Sequence, residues 1–247
     1  MNESEYGSDA LARRMFAEFL GTALLVAGVI GSGIMAVRLS PDAGLQLLAN
    51  AAATACVLVA VILAVGPVSG AHLNPAVTLA DLFFRGLSPR AARGYVAAQL
   101  LGGVAGALVA NLMFGLPAVE LSTTARSSGP LWLSEVVATF GLLLVIFGVV
   151  RSGRSTAAPF AVGAYIGGAY FFTASTSFAN PAVTVARTLT DTFTGISPSS
   201  APAFVVAQIA GAALAVAAIR VLYPAMAQSA GAVVVPKRAG GHDEGSS

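Results

Sequence analysis

The chain has 247 residues, of which 56% are hydrophobic and 10% charged, and its formal net charge is +2 at pH 7. Soluble domains carry about a quarter of their residues as charged side chains, so this composition excludes an ordinary soluble protein and indicates repeated membrane crossings. One cysteine, Cys56, excludes an internal disulfide, and the two histidines, His72 and His242, provide no cluster of metal ligands. We therefore predict no metal and no cofactor. The positive charges flank apolar stretches instead of forming one basic face, which argues against nucleic acid as a partner.

Residues 1–12 form a polar N-terminal segment before the first apolar stretch. It contains Glu3, Glu5 and Asp9, where a cleavable signal peptide would place positive charge. The first apolar stretch is therefore expected to remain in the protein as a transmembrane helix.

Six apolar stretches are long enough to cross a hydrocarbon core of about 30 Å as helices. They cover residues 14–37, 45–65, 91–114, 131–150, 157–175 and 201–223. These six helices predict an all-α membrane protein.

The sequence Asn-Pro-Ala-Val-Thr occurs twice, at 74–78 after the second stretch and at 180–184 after the fifth. An Asn side chain caps the free N–H groups of a helix, and a proline suits the first helical position. Each copy therefore predicts a half-helix, over 74–85 and 180–193. At about 1.5 Å per residue, either one is too short to span the membrane.

Further matched positions predict an internal duplication, with repeats at 13–114 and 131–223 joined by an extracytoplasmic loop at 115–130. Glu18 and Glu135 lie near the start of the first and fourth stretches, and Gln99 and Gln208 lie in the third and sixth. Because each repeat has an odd number of spans, the second enters the membrane upside down, an arrangement that places binding sites near the midplane.

The positive residues fall mainly on one side of this predicted topology. One side holds Arg13, Arg14, Arg85, Arg90, Arg93, Arg151, Arg154, Lys237 and Arg238; the other holds chiefly Arg38, Arg126 and Arg187. Positive residues concentrate on the cytoplasmic side, so both termini are predicted there, in a multi-pass protein of the inner (plasma) membrane. The Gly/Ser-rich end, 224–247, is predicted to be a disordered cytoplasmic tail.

Two half-helices that enter from opposite faces bring Asn74 and Asn180 together near the membrane centre. Their converging positive dipole ends would repel cations, and the Asn amides can donate hydrogen bonds to a passing oxygen. Loop carbonyls are expected to supply acceptors along the path, at Gly70, Ala71, His72, Leu73, Ser175, Thr176, Ser177 and Phe178. The alternative is that Asn-Pro only caps two buried helices, with no pore. Glu18 and Glu135 are expected to accept N–H bonds from the loops, the alternative being a proton relay.

These features resemble the aquaporin and aquaglyceroporin family, also called major intrinsic proteins. The resemblance covers about residues 13–223, through the paired boxes Asn74-Pro75-Ala76 and Asn180-Pro181-Ala182, the two glutamates and the segment Ser69–Leu73. It implies passive transport of water or small neutral solutes, no enzymatic activity, and a homotetramer with one pore per subunit.

One position departs from the family pattern. An arginine usually follows the second Asn-Pro-Ala and forms the outer filter, whereas this chain has Val183. Ungapped counting from the two boxes carries the other filter positions to Thr54, Gly168 and Ser177. These residues imply a wide, uncharged opening that admits glycerol-like polyols and undissociated arsenite or related arsenicals. A valine there is similar to a bacterial branch that accompanies arsenic-resistance genes.

Arg187 follows Val183 by one helical turn and is a candidate for the outer vestibule. The alternative is that it pairs with Asp191 or anchors at the interface. Asp81 occupies the matching place in the first half-helix. For the whole chain, the rival functions are a water-selective pore and a secondary active transporter, although the spans offer a transporter only Glu18 and Glu135 as acids.

Overall fold

The computed structural model describes residues 3–224, and within this range every regular element is a helix. The α-helices are α1 (Glu3–Leu39), α2 (Ala43–Ser69), α3 (Pro75–Phe83), α4 (Pro89–Met113), α5 (Gly129–Arg151), α6 (Ala158–Phe172), α7 (Pro181–Ala186) and α8 (Ala201–Leu222). Short 3₁₀ turns at Ser155–Ala157 and Arg187–Leu189 precede α6 and follow α7. Apart from Pro224, the predicted tail lies outside the described residues.

Five described helices, α1, α2, α4, α5 and α8, are long and apolar enough to cross a membrane. The fifth predicted span, 157–175, is shorter than expected, because α6 has only 15 residues. It ends at Phe172, where the backbone of Thr173 turns extended and starts the loop that leads to the second half-helix. With α6 in place, the predicted fold class is confirmed: an all-helical membrane protein with two half-helices.

Both half-helices are shorter at their C-terminal ends than the sequence predicted. The first ends at Phe83, because Arg85 adopts a left-handed backbone with φ of 64°. In the second, α-helical geometry stops at Ala186 and tightens into the 3₁₀ turn. The chain from Thr190 to Ser200 is then irregular, and Thr194 and Ile196 within it hydrogen-bond to Arg187.

The two repeats pack in matching ways. Helix α1 packs against α2 and α4, while α5 packs against α6 and α8. Glycines allow the close crossings: a Cβ at Gly102 or Gly106 of α4 would overlap a backbone oxygen of α1, and one at Gly211 of α8 would overlap a backbone oxygen of α5. Small residues of this kind let membrane helices approach through van der Waals contact. The half-helices α3 and α7 lie between these long helices.

Candidate functional site: a cavity between the half-helices

Each half-helix begins at an asparagine that caps it. The Oδ1 atom of Asn74 accepts a hydrogen bond from the Ala76 N–H at 2.9 Å, and that of Asn180 accepts from the Ala182 N–H at 3.0 Å. Both asparagines are extended, with proline at the next position. Two helix N-termini, each with partial positive charge, therefore face each other inside the bundle.

The same asparagines also join the two halves of the molecule. Asn74 Nδ2 donates to the carbonyl of Ala179, and Asn180 Nδ2 donates to the carbonyl of Leu73, both at 2.7 Å. An amide NH₂ has two donors, so each asparagine keeps one N–H for a further partner. This reciprocal pair of bonds, the asparagine interlock, fixes how closely the half-helices meet.

Glu18 holds the loop that precedes α3. Its carboxylate is fully buried and accepts hydrogen bonds from the backbone N–H groups of His72 and Leu73, at 2.9 and 2.7 Å. It also accepts from the Ser69 hydroxyl at 2.6 Å and from the Gln99 amide at 2.8 Å. Four donors compensate for the burial of this side chain in an apolar bundle.

Glu135 does the same for the loop that precedes α7. It is fully buried and accepts from the backbone N–H groups of Phe178 and Ala179, at 2.9 and 2.8 Å. The Gln208 amide adds a third bond at 2.6 Å. The two carboxylates thus support the two loops in equivalent ways.

The supported loops have an unusual backbone. Ala71 and Leu73 in the first loop, and Ser177 and Ala179 in the second, are all left-handed, with φ of 49°, 52°, 52° and 47°. Such conformations cost free energy in residues other than glycine and persist where the surroundings impose them. Irregular backbone at membrane depth is tolerated when it is buried in protein or lines a wet cavity.

A cavity of about 50 Å³ runs past both loops and both asparagines. Its wall includes Asn74 and Asn180 and is otherwise mostly aliphatic, from α1, α2, α5 and α6: Leu25, Val29, Leu58, Ile62, Leu142, Ile146, Val162 and Ile166. The loop residues that line it are Ala71, His72, Leu73, Ser177, Phe178 and Ala179. Three predicted carbonyl positions, Gly70, Ser175 and Thr176, are not part of this wall.

The end of the cavity beyond Asn180 contains three of the four predicted filter residues. Thr54, Ser177 and Val183 all line it. Gly168 does not: it is exposed on α6, and a Cβ there would meet open space. The residue that α6 contributes is Tyr170, whose hydroxyl lies 3.1 Å from the Thr54 hydroxyl. Ungapped counting missed it, but Val162, Ile166 and Tyr170 recur every four residues on one helical face, a spacing visible in the sequence.

Arg187 also lines this end of the cavity and is only 2% exposed. Its Nε donates to the Thr194 carbonyl, and its guanidinium lies 3.4 Å from the centroid of the Phe178 ring. Asp191 instead accepts from the backbone N–H and the hydroxyl of Thr123, at 2.9 and 3.1 Å. Arg187 therefore brings a guanidinium to the cavity wall, whereas the four predicted filter residues are themselves uncharged.

His72 and Asp81 occupy the opposite part of the site. His72 lines the cavity, and its Nε2 lies 3.7 Å from Asp81 Oδ2. Its Nδ1 lies 3.1 Å from the Thr78 hydroxyl. Asp81 is buried on α3 at the position that corresponds to Arg187, which follows α7 directly. The pseudo-symmetric half-helices thus place an acid in one half and a base in the other.

The comparisons with known proteins agree with this geometry. The family described as Major intrinsic protein matches residues 5–177. The chain is 50% identical over 216 residues to the aquaglyceroporin AqpS of Rhizobium meliloti (strain 1021), covering 87% of this chain and 92% of that one. It is 35% identical over 162 residues to human aquaporin-5, covering 62% and 58% of the two chains. Among solved structures, the aquaglyceroporin from Plasmodium falciparum superposes with a TM-score of 0.72 at 24% identity, over 87% of this chain and 98% of that one.

The chain belongs to the major intrinsic protein family. It is a multi-pass integral membrane channel for water and small solutes such as glycerol, and it is not an enzyme.

Proposed function

We propose that this channel passes glycerol-like polyols and undissociated arsenite or related arsenicals, together with water, and that the outer end of the cavity selects them. The observation that carries the proposal is the pair Val183 and Arg187. A valine occupies the place after Asn180-Pro181-Ala182 where the family usually has arginine, and a guanidinium reaches the cavity wall from one turn later. The charge is thus moved outward along the path rather than removed.

The polar groups at this end suit a solute with several hydroxyls. Arg187 uses its Nε for the Thr194 carbonyl, which leaves its two Nη groups as further donors. Ser177 lines the cavity, and its buried hydroxyl has no hydrogen-bond partner among the described residues. Thr54 and Tyr170 form a hydroxyl pair on the facing wall. A polyol that leaves water needs such replacement partners, because unpaired polar groups are costly in an apolar passage.

The test is stopped-flow light scattering on liposomes that contain the protein, with water, glycerol, urea and neutral arsenite as solutes. Val183→Arg should lower the glycerol and arsenite fluxes about tenfold or more, which corresponds to about 1.4 kcal/mol in the barrier, while water still passes. Arg187→Gln should lower the ratio of glycerol flux to water flux, because it removes a donor that glycerol needs more than water does.

Two matched variants control for size and for the loss of any arginine. Val183→Met adds bulk without charge, and Arg154→Gln removes an exposed arginine outside the cavity wall. If the native protein conducts only water, or if Arg187→Gln and Arg154→Gln give the same flux ratio, the proposed filter is wrong. Concentrative uptake that a protonophore abolishes would indicate a secondary active transporter instead.

We further propose that the channel is a homotetramer in the inner (plasma) membrane with both termini in the cytoplasm. The family resemblance supports the tetramer, and the distribution of positive residues supports the orientation. The N-terminal segment 1–12 and the tail 224–247 then lie on the cytoplasmic side, and the loop 115–130 lies outside.

A further inference from the structure

Two further cavities adjoin each other where α3 meets α8, and neither shares a lining residue with the cavity between the half-helices. The first, the basic pocket, has a volume of about 640 Å³ and contains Arg85, Arg151, Arg220 and Tyr223 in its wall. It lies where α3, α5 and α8 all end, which is the side predicted to be cytoplasmic.

The second cavity, the apolar groove, continues from the basic pocket along α3 and α8. The two share Phe83 and Arg220, and beyond Arg220 the groove is lined only by apolar side chains, among them Leu79, Ile209 and Ala217. Leu79 is 43% exposed and Phe83 is 55% exposed. Because α3 has only nine residues, it leaves this strip beside α8 uncovered.

Aromatic rings hold two of the three guanidinium groups in the basic pocket. The guanidinium of Arg151 lies 4.5 Å from the centroid of the Phe84 ring, and that of Arg220 lies 5.8 Å from the Phe83 ring. Among the described residues, no carboxylate lines the pocket. Asp81, whose charge acts on Arg151, is buried behind it. The pocket therefore presents positive charge on an amphipathic surface.

A comparison with the other repeat shows that the fold does not itself require arginines at these positions. The positions that correspond to Arg85 and Arg220 are Asp191 and Asn111. Both are engaged locally: Asp191 accepts from Thr123, and Asn111 donates to the Leu189 carbonyl at 3.0 Å. The inverted repeat thus creates equivalent surfaces at its two ends and supplies arginines at only one.

We propose that the basic pocket binds the phosphate headgroup of an anionic phospholipid and that the apolar groove binds one of its acyl chains. Guanidinium groups pair with phosphate oxygens through two parallel hydrogen bonds, and basic pockets between helices on the cytoplasmic side suit lipid headgroups. The continuity of charge with an apolar strip favours a lipid over a soluble phosphate, which would use only the first cavity.

Native mass spectrometry of the intact complex tests this proposal. The protein is purified in mild detergent after exposure to equal amounts of phosphatidylglycerol and phosphatidylcholine, and the retained lipids and the mass of the complex are measured. The wild type should retain phosphatidylglycerol preferentially. Arg85→Gln and Arg220→Gln should each reduce its retention roughly fivefold, since one basic side chain near a membrane surface contributes about 1 kcal/mol.

The controls distinguish the effect of the pocket's charge from that of the groove, and a bound lipid from bound inorganic phosphate. Arg90→Gln removes an exposed arginine of the same end that does not line the pocket and should change nothing. Ala217→Phe fills the groove without changing charge and should also release the lipid. Excess inorganic phosphate should not displace it.

Equal retention of the two lipids, or equal losses in Arg90→Gln and Arg220→Gln, would overturn the proposal. Displacement by inorganic phosphate would indicate a soluble anion site. Dissociation of the complex by Ala217→Phe would show that a second copy of the chain covers the groove. Solute flux is measured separately in the same variants, so a failure here leaves the pore untouched.

Discussion

Buried carboxylates in this protein act on the backbone rather than on solute. Glu18 and Glu135 sit at matching positions, and each accepts two consecutive backbone N–H groups from the loop beside it. Each also accepts from a glutamine of the last helix of its own repeat: Gln99 on α4 or Gln208 on α8. An acidic side chain is tolerated at this depth because each of these hydrogen bonds comes from a donor.

Glu135→Ala should therefore destabilise the protein strongly. It leaves the backbone N–H groups of Phe178 and Ala179 buried without a partner, at a cost of about 1–3 kcal/mol each. Thermal unfolding of the detergent-purified protein measures the effect, with Glu120→Ala as control because Glu120 is exposed. A similar change in unfolding temperature for the two variants would contradict this role.

How well a residue's place could be predicted depended on the length of irregular chain between it and the asparagine from which it was counted. Thr54, Ser177 and Val183, found by counting from the asparagines, line the cavity, and their role as a filter stays a prediction. The same count from Asn180 back to α6 gave Gly168 instead of Tyr170. It crosses the irregular segment 173–179, which is longer than the segment 70–73 between α2 and Asn74.

The sequence made Arg187 a candidate for the outer vestibule, but the contacts that hold its guanidinium could not be predicted. Its distance from Val183 fits a helix, whereas α-helical geometry stops at Ala186 and a 3₁₀ turn follows. The Thr194 carbonyl and the Phe178 ring, which hold the guanidinium, come from a later loop and an earlier one. Such tertiary partners are invisible to periodicity.

At the scale of elements, hydropathy predicted the long helices well and their ends less well. Spans of 20 or so apolar residues are set by the thickness of the bilayer, so five helices of membrane length emerged where expected. The short elements α3, α6 and α7 end where loop bonds begin, and those bonds form only in the folded bundle. The crossings of the long helices depend in turn on single glycines.

Gly106→Ala should destabilise the protein by about 1–3 kcal/mol, because its Cβ would overlap the Ala23 carbonyl and force α1 and α4 apart. Gly168→Ala is the matched control. It lies in a helix with open space around it, and alanine is favoured over glycine there by about 0.5–1 kcal/mol. Thermal unfolding should shift in opposite directions for the two variants, and Gly168→Ala should leave glycerol flux unchanged. A drop in glycerol flux would instead support the predicted place of Gly168 in the filter.

At the scale of the whole molecule, the arginines on the side predicted to be external share one kind of hydrogen-bond partner. On the side predicted to be external, Arg38, Arg126 and Arg187 each donate to a backbone carbonyl, those of Phe114, Gly195 and Thr194. These cations stabilise loops. Positive residues on the other side are more numerous, which is the pattern that sets membrane orientation.

Orientation can be tested with single cysteines. In a Cys56→Ser background, Ser127→Cys places a thiol in the exposed loop before α5, and Ser152→Cys places one in the exposed turn after it. A membrane-impermeant maleimide added to intact cells should label Ser127→Cys at once and Ser152→Cys only after permeabilisation. The reverse order of labelling would place the termini outside.

The asparagine interlock bears on the evolutionary origin of the two repeats. Each amide finds its acceptor in the opposite half of the chain, so neither Asn74 nor Asn180 is complete without the other repeat. We expect that the ancestor was a half-length chain that formed a dimer with a second copy inserted upside down. That dimer would have made the same bond twice before gene fusion joined the two copies. Since fusion, a mutation that shifts one loop along the bundle axis requires a matching shift of the other loop. The surfaces remote from the interlock carry no such coupling, and there one half has Arg85 where the other has Asp191.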